Sequence, residues 1–173
     1  DVGRDDMKTS LSDSELTRYD RQMMIPDWGK DGQKKLKEAT VLVAGTGGLG
    51  CPVSLYLAAA GVGRLVLVDK DKFGLSNLNR QILGWQENIG QAKAEAVAKK
   101  LVALNPNVKI DAHATTIRED NVAELLNGTN VVVDAMDNWT TRFLLNQECV
   151  NQDKPLVHAG IYGLNGQVTT IIP

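Results

Sequence analysis

The stretch from Val41 to Asp69, VLVAGTGGLGCPVSLYLAAAGVGRLVLVD, constrains this chain more than any other. It reads as an apolar strand (Val41 to Ala44), a glycine turn (Gly45, Gly47, Gly48, Gly50) and an apolar helix (Val53 to Ala60). A second apolar strand (Leu65 to Val68) follows and ends in an acid, Asp69. A strand–turn–helix–strand unit with GxGxxG at the turn and a carboxylate about 20 residues on has the spacing of a nucleotide-binding crossover. The glycines let the backbone turn tightly. They also let a phosphate approach main-chain N–H groups at the helix N-terminus, where the dipole favours an anion. The acid ending the second strand can accept hydrogen bonds from a ribose diol. The unit points to a nucleotide and is silent about which one.

The rest of the chain continues the alternation. Asp1 to Ser12 is polar and reads as disordered or frayed, with the ordered domain expected over 18–173. S-D-S-E from Ser12 is a helix cap leading into Thr17 to Gln22, and after Pro26, Gly29 and Gly32 a short amphipathic helix spans Gln33 to Glu38. Beyond Asp69 the segment through Leu75 to Gln81 is polar and irregular. A helix from Gly90 to Leu104 places Ala94, Val97, Leu101 and Leu104 on its buried face, and Asn105-Pro106 stops it. A strand (Val108 to Ala112), a helix (Asp120 to Leu126) and the run Val131 to Val133 follow. A helix over Thr140 to Gln152 then carries Phe143, Leu144 and Cys149 inward. Pro155 to Ile161 is a fifth apolar strand, and Gln167 to Ile172 alternates as an antiparallel final one. Continuously apolar central strands separated by helices predict an α/β fold: a doubly wound, Rossmann-like, mostly parallel sheet with an antiparallel strand at the C-terminal end.

Composition excludes several classes. Lys+Arg 19 against Asp+Glu 21 gives a net charge of -2, which removes the electrostatic case for nucleic acid. No apolar run approaches membrane-spanning length, and the first residues are polar rather than signal-like. Cys51 and Cys149 lie in apolar helical patterns without CxxC spacing, so neither a disulfide framework nor a zinc site is expected, and the setting is read as cytoplasmic. His113 and His158 fall in strands with no partner spacing and are read as structural.

Ligands of such sheets bind at the carboxyl ends of the strands, which here carry the glycine turn, Asp69 and Asp137-Asn138. Arg80 is an ordinary surface arginine unless its segment returns along that edge, where it would face phosphates. Lys93 opens the long helix, where the dipole disfavours a cation unless a polyphosphate is bound beside it. Asp137 is either a turn former with Asn138 or a ligand for Mg²⁺, a cation held by one carboxylate plus phosphates. There is no GxxxxGK[ST], which argues against a P-loop enzyme. Residue chemistry alone reaches a nucleotide-binding α/β domain and stops.

At these residues a resemblance becomes specific. R-Y-D-R-Q (Arg18 to Gln22), G-T-G-G-L-G-C (Gly45 to Cys51), A-G-V-G (Ala60 to Gly63) and S-N-L-N-R-Q (Ser76 to Gln81) occur in order. G-Q-A-K (Gly90 to Lys93), D-x-x-D-N (Asp134 to Asn138) and N-G-Q (Asn165 to Gln167) follow. Together they resemble the MoeB/ThiF family, bacterial relatives of the ubiquitin-activating enzymes, from about Arg18 to the end.

The resemblance implies ATP-dependent adenylation of the C-terminal Gly-Gly carboxylate of a ubiquitin-like sulfur-carrier protein, giving acyl-adenylate and pyrophosphate. It implies a nucleotide site built from Gly45, Gly47, Gly48, Asp69, Ser76, Asn77, Leu78, Asn79, Arg80, Gln81, Lys93, Asp137 and Asn138. Within it, Arg80 and Lys93 would neutralise phosphates and Asp137 would hold Mg²⁺. Arg21 would be an arginine finger reaching the neighbouring subunit of a homodimer. The family continues past the position of Pro173 into further strands, and many members carry there a zinc-binding pair of CxxC motifs and a reactive cysteine. The chain is therefore expected to be the adenylation part, truncated at its C-terminal end, with zinc entering only through residues absent from it. Two rival readings are an NAD-dependent oxidoreductase domain, which leaves Arg21, Arg80, Lys93 and Asp137 without a task, and a non-catalytic nucleotide- or partner-binding half of an activating enzyme.

Overall fold

A computed structural model describes residues 10–173, so Asp1 to Thr9, for which disorder was expected, lie outside the described residues. The N-terminal part forms three helices: α1 (Asp13–Arg18), α2 (Asp20–Met23) and α3 (Gly29–Glu38). The residues from Asp13 to Thr17, placed before the ordered domain expected over 18–173, are helical. Ser12 caps α1 in a reciprocal capping box with Glu15, which satisfies two otherwise orphaned N–H groups and starts the helix at Asp13.

β1 (Thr40–Ala44) leads through the glycine turn into α4 (Gly50–Ala60) and back to β2 (Arg64–Val68). Then come α5 (Lys93–Leu104), β3 (Lys109–His113), α6 (Val122–Leu126), β4 (Val131–Asp134) and α7 (Trp139–Asn151). The chain closes with β5 (Leu156–Tyr162) and β6 (Asn165–Ile171). The polar segment after β2 contains two single 3₁₀ turns, Leu75–Asn77 and Gln86–Asn88.

The six strands lie in the order β3-β2-β1-β4-β5-β6, all parallel except β6, which runs antiparallel to β5. This is the expected doubly wound sheet. β1, β2 and β4 are buried almost throughout because helices cover both faces. One core packs α4 and α5 on the sheet through Val43, Leu65, Leu67, Ala58, Val97 and Leu101. The other packs α6 and α7 on the opposite face through Leu42, Val66, Leu126, Val132 and Leu145.

Two side chains depart from expectation. Phe143 is 68% exposed, and Leu145 takes the inward place. The buried residues of α7 are Thr141, Leu145 and Cys149, at four-residue spacing, so Phe143 falls between them on the opposite side. Leu144 is partly buried and Cys149 is buried, as expected. Leu104 is 38% exposed at the last position of α5, where it lines a shallow groove with Leu55, Leu83 and Trp85. Among the described residues no helix is long and apolar enough to cross a membrane.

Candidate active site

Successive connections leave β1 in opposite directions, to β2 on one side and eventually to β4 on the other, which opens a crevice at the carboxyl ends of these strands. A cleft of about 1500 Å³ occupies that place. Its floor is the glycine turn. Gly45 adopts φ +90°, and a Cβ there would stand 2.8 Å from the Ala135 carbonyl oxygen; a Cβ on Gly50 would meet the Gly45 carbonyl oxygen at 1.8 Å. Those two positions must be glycine for the turn to close. Gly47 and Gly48 line the cleft instead, with the Gln81 amide and the Arg80 stem as their neighbours. No side chain caps α4. Cys51 N donates to the Gly47 carbonyl and Pro52 has no N–H, but the N–H groups of Gly48, Leu49 and Gly50 make no hydrogen bond among the described residues and remain available where the turn enters the helix.

Asp69 fastens the end of β2 to this turn. Its Oδ2 accepts from Thr46 N at 2.8 Å and Thr46 Oγ1 at 3.0 Å, and its Oδ1 accepts from Asp71 N at 2.8 Å. The carboxylate therefore holds the loop and faces the cleft at once. Lys93, the first residue of α5, is buried, and its one ion pair among the described residues is with Asp71, 3.5 Å away and half exposed. An ammonium has three donors, so Lys93 reaches the cleft with donors to spare. Arg80 is exposed and donates to the Ser76 carbonyl and Asn79 Oδ1, both at 3.0 Å, which holds its stem against Gly48. Gln81 is buried, and its Oε1 has no partner among the described residues, an orphan acceptor on the cleft wall.

Asp137 lies exposed on the opposite rim. Asn138 beside it accepts from Thr141 N at 2.9 Å and is the N-cap of α7. No three His, Cys, Asp or Glu residues cluster as a metal site among the described residues. A divalent cation at Asp137 would thus take one protein carboxylate and fill its other positions from phosphates and water, the usual habit of Mg²⁺.

The expected site residues divide. Gly45, Gly47, Gly48, Asp69, Arg80, Gln81, Lys93, Asp137 and Asn138 line one cleft. Ser76, Asn77, Leu78 and Asn79 do not: Ser76 and Asn77 lie in the 3₁₀ turn, in which Asn77 Oδ1 accepts from Gly74 N, Leu78 ends it, and Asn79 leads into Arg80 and Gln81. Arg21 is exposed on α2 and outside the cleft, its guanidinium 3.7 Å from Met24 Sδ.

Its neighbours in R-Y-D-R-Q serve packing. Tyr19 is buried over Gly61 and accepts from Asn105 Nδ2 at 2.8 Å, while Gln22 donates to the Ala60 carbonyl at 2.7 Å.

Sequence reasoning missed the loop Thr115 to Glu119 after β3, and also Trp139, Arg142, Phe143, Ile161 and Tyr162, all on the cleft wall. The rule that ligands sit beyond strand carboxyl ends would have flagged the loop after β3. The aromatic residues had no such signal. Nor did His158, whose Nδ1 lies 2.7 Å from Asp134 Oδ2 although its sequence spacing suggested no partner. Burial pushes the Cys51 thiol up, and that of Cys149 up to about 11, so both stay protonated and neither is a thiolate nucleophile near neutral pH.

The profile of the ThiF family matches residues 19–173. A sulfur carrier protein adenylyltransferase of Thermus thermophilus is 48% identical over 154 residues, covering 89% of this chain and 57% of the relative. The SAMP-activating enzyme E1 of Haloferax volcanii is 44% identical over 167 residues, covering 96% and 62%. Among solved structures, E. coli tRNA N6-threonylcarbamoyladenosine dehydratase, TcdA, in complex with ATP superposes with a TM-score of 0.85 at 30% identity. It covers 90% of this chain and 64% of its own. The chain spans little more than half the length of the Thermus relative.

Proposed function

The chain belongs to the ThiF family, and from that premise we propose that it is the adenylation domain of an enzyme activating a ubiquitin-like sulfur-carrier protein. One observation carries the reading. Arg80, Lys93 and Asp137, distant in sequence and on opposite rims, face one uncapped helix N-terminus across a single cleft. A dinucleotide oxidoreductase needs none of these three groups, which disfavours the NAD reading. Their presence also favours an enzyme over a non-catalytic binding half.

The reaction joins two anions. A carboxylate oxygen of the carrier's terminal Gly-Gly attacks the α-phosphorus of ATP. A phosphoric-carboxylic anhydride bond forms, and the bond from the α-phosphorus to the bridging oxygen of pyrophosphate breaks. Most of the catalysis is positioning and charge neutralisation. Asp69 accepts from the ribose hydroxyls, and the free N–H groups of Gly48, Leu49 and Gly50, where the turn enters α4, donate to phosphate oxygens. Arg80 and Lys93 offset the charge of the polyphosphate, Lys93 exchanging its weak contact with Asp71 for phosphate oxygens. Mg²⁺ fits beside Asp137 and would supply further charge neutralisation when bound.

Arg21 belongs to this site in trans. It follows Tyr19, which packs at the C-terminal end of α4, and the glycine turn is at the other end. With 11 residues, α4 separates the two by about 16 Å. The reading therefore includes a homodimer in which each subunit lends Arg21 to its neighbour, in a cytoplasmic setting.

ATP–pyrophosphate exchange with a purified carrier protein tests the activity, and thermal unfolding tests the ligand. ATP·Mg²⁺ at 100 times its Kd adds about 2.7 kcal/mol, a rise of roughly 5–10 °C at this chain length. A rise with ATP·Mg²⁺ and none with NAD is expected; a rise with NAD alone would overturn the proposal.

A further inference from the structure

Asp134 opens the D-x-x-D-N motif, and nothing in the reaction above uses it. It is nevertheless the most deeply buried carboxylate among the described residues, 1% exposed at the end of β4, immediately before the cleft-lining Ala135 to Asp137. Its Oδ1 accepts from Met136 N at 2.9 Å, and its Oδ2 accepts from His158 Nδ1 at 2.7 Å. With Nδ1 as the donor, the other imidazole nitrogen accepts from the Gln167 amide at 3.4 Å. Arg142 Nε lies 3.9 Å from the same Oδ2. The guanidinium of Arg142 also donates through Nε (3.0 Å) and a second nitrogen to the Met136 carbonyl, and reaches the Ala159 carbonyl at 3.4 Å. The guanidinium carbon lies over the Trp139 ring, 5.3 Å from the ring centre. Four elements meet here: β4, α7, β5 and β6.

The segment from Asp134 to Asn138 is consequently pinned everywhere except at one residue. Met136 is held through both its N–H and its carbonyl, and Asn138 is held by capping α7. Ala135 N donates to the Ala44 carbonyl, and the Met136 sulfur packs against the glycine turn at Gly45. The carboxylate of Asp137 makes no hydrogen bond or ion pair with the described residues. A buried charge carries a desolvation cost that apolar packing of the same volume avoids, so its retention here is better explained by specificity of geometry than by stability. A fully satisfied polar network is stiff, and stiffness is what a ligand on an otherwise free loop requires.

We propose that Arg142 and His158, joined through the buried carboxylate of Asp134, are positioning residues that set the loop carrying Asp137 against the glycine turn. Neither touches the reacting atoms; both act through Met136 and Asp134. The ligand arm of this inference rests on the reading of Asp137 given above, whereas the loop arm does not.

Three variants test it: Arg142→Lys, His158→Ala and His158→Asn. Lysine keeps a charge near Asp134 but lacks the planar fork that puts two donors on the Met136 carbonyl while reaching the Ala159 carbonyl, and the asparagine amide can replace the Nδ1–H donor. Amide exchange at Met136 is compared with Leu42 and Val43 in the core of β1. Affinity for ATP is measured with Mn²⁺ and without metal. In Arg142→Lys, exchange at Met136 rises about 10-fold while Leu42 and Val43 stay unchanged. Mn²⁺·ATP binding weakens about 10-fold while metal-free ATP binding holds. His158→Ala shifts both in the same direction, and His158→Asn restores them. Unchanged Met136 exchange in Arg142→Lys overturns the proposal, as does an equal rise at Leu42 and Val43, which would mark mere destabilisation. Asp137→Ala is the reference: if it binds Mn²⁺·ATP as well as the parent chain, the functional reading of Asp137 falls, while Met136 exchange still decides the loop.

Discussion

A buried lysine at the first position of a helix is unfavourable twice, through desolvation and through the dipole it faces. Lys93 accepts both costs with only a half-exposed Asp71 at 3.5 Å in return. Anionic phosphates would reverse both terms, which is the physical content of its proposed role. Lys93→Ala should therefore lower pyrophosphate exchange about 100-fold or more, the scale of a lost oxyanion donor. Its melting temperature should stay level or rise, because an ill-placed buried charge is gone. Arg80→Ala should show a comparable loss of exchange with no change in fold, since Arg80 is exposed and its partners are the Ser76 carbonyl and Asn79. Near-normal exchange in either variant removes that residue from the mechanism. Read locally, Arg80 is an ordinary surface cation and Lys93 an ill-placed one at a helix start, and only their shared cleft gives both a task.

At the scale of elements, the N-terminal helices are docked rather than appended. Glu15 is buried and pairs with Lys37 at 2.7 Å, which ties α1 to α3. Gln33, fully buried on α3, donates to the Ala60 carbonyl at the end of α4, as Gln22 does from α2. For Glu15, burial alone would raise the carboxyl, but the Lys37 ammonium and the donors of Ser12 outweigh it and hold it below the usual carboxylate range. Since the folded value is depressed, the stabilisation is present above the unfolded carboxylate value. It is lost as pH falls through the folded one. Lys37→Met leaves a buried acceptor short of a partner and should cost about 1–3 kcal/mol. The acid-induced release of α1, followed by amide exchange at Leu16 and Tyr19, should then begin at higher pH than in the parent chain. An unchanged acid transition would mean that the pair does not hold the helix.

At the scale of the molecule, Arg21 stands at the wrong end of α4 for its own cleft, and a second copy must supply it if it acts at all. Mixed dimers of Arg21→Ala and Asp137→Ala chains should recover part of the exchange activity that each lacks alone, because one complete site reassembles. No recovery would argue against a finger supplied in trans. What the chain's order of residues determined by itself was local: the glycine turn, the strand–helix alternation and the acid at the end of β2. Each is written in backbone freedom or hydrophobic period within a window of a few turns. Within α7 the expectation put Phe143 inward beside Cys149, whereas the buried face is Thr141, Leu145 and Cys149 and Phe143 is exposed. Ser76 to Asn79 lay in a motif and do not line the cleft, while the Thr115 to Glu119 loop lay in none and lines it. The tertiary structure alone paired Asp134 with His158, 24 residues apart, because that contact exists only once β4 and β5 lie side by side in register. Sequence separation carries no information about such register; the burial of two sheet faces supplies it.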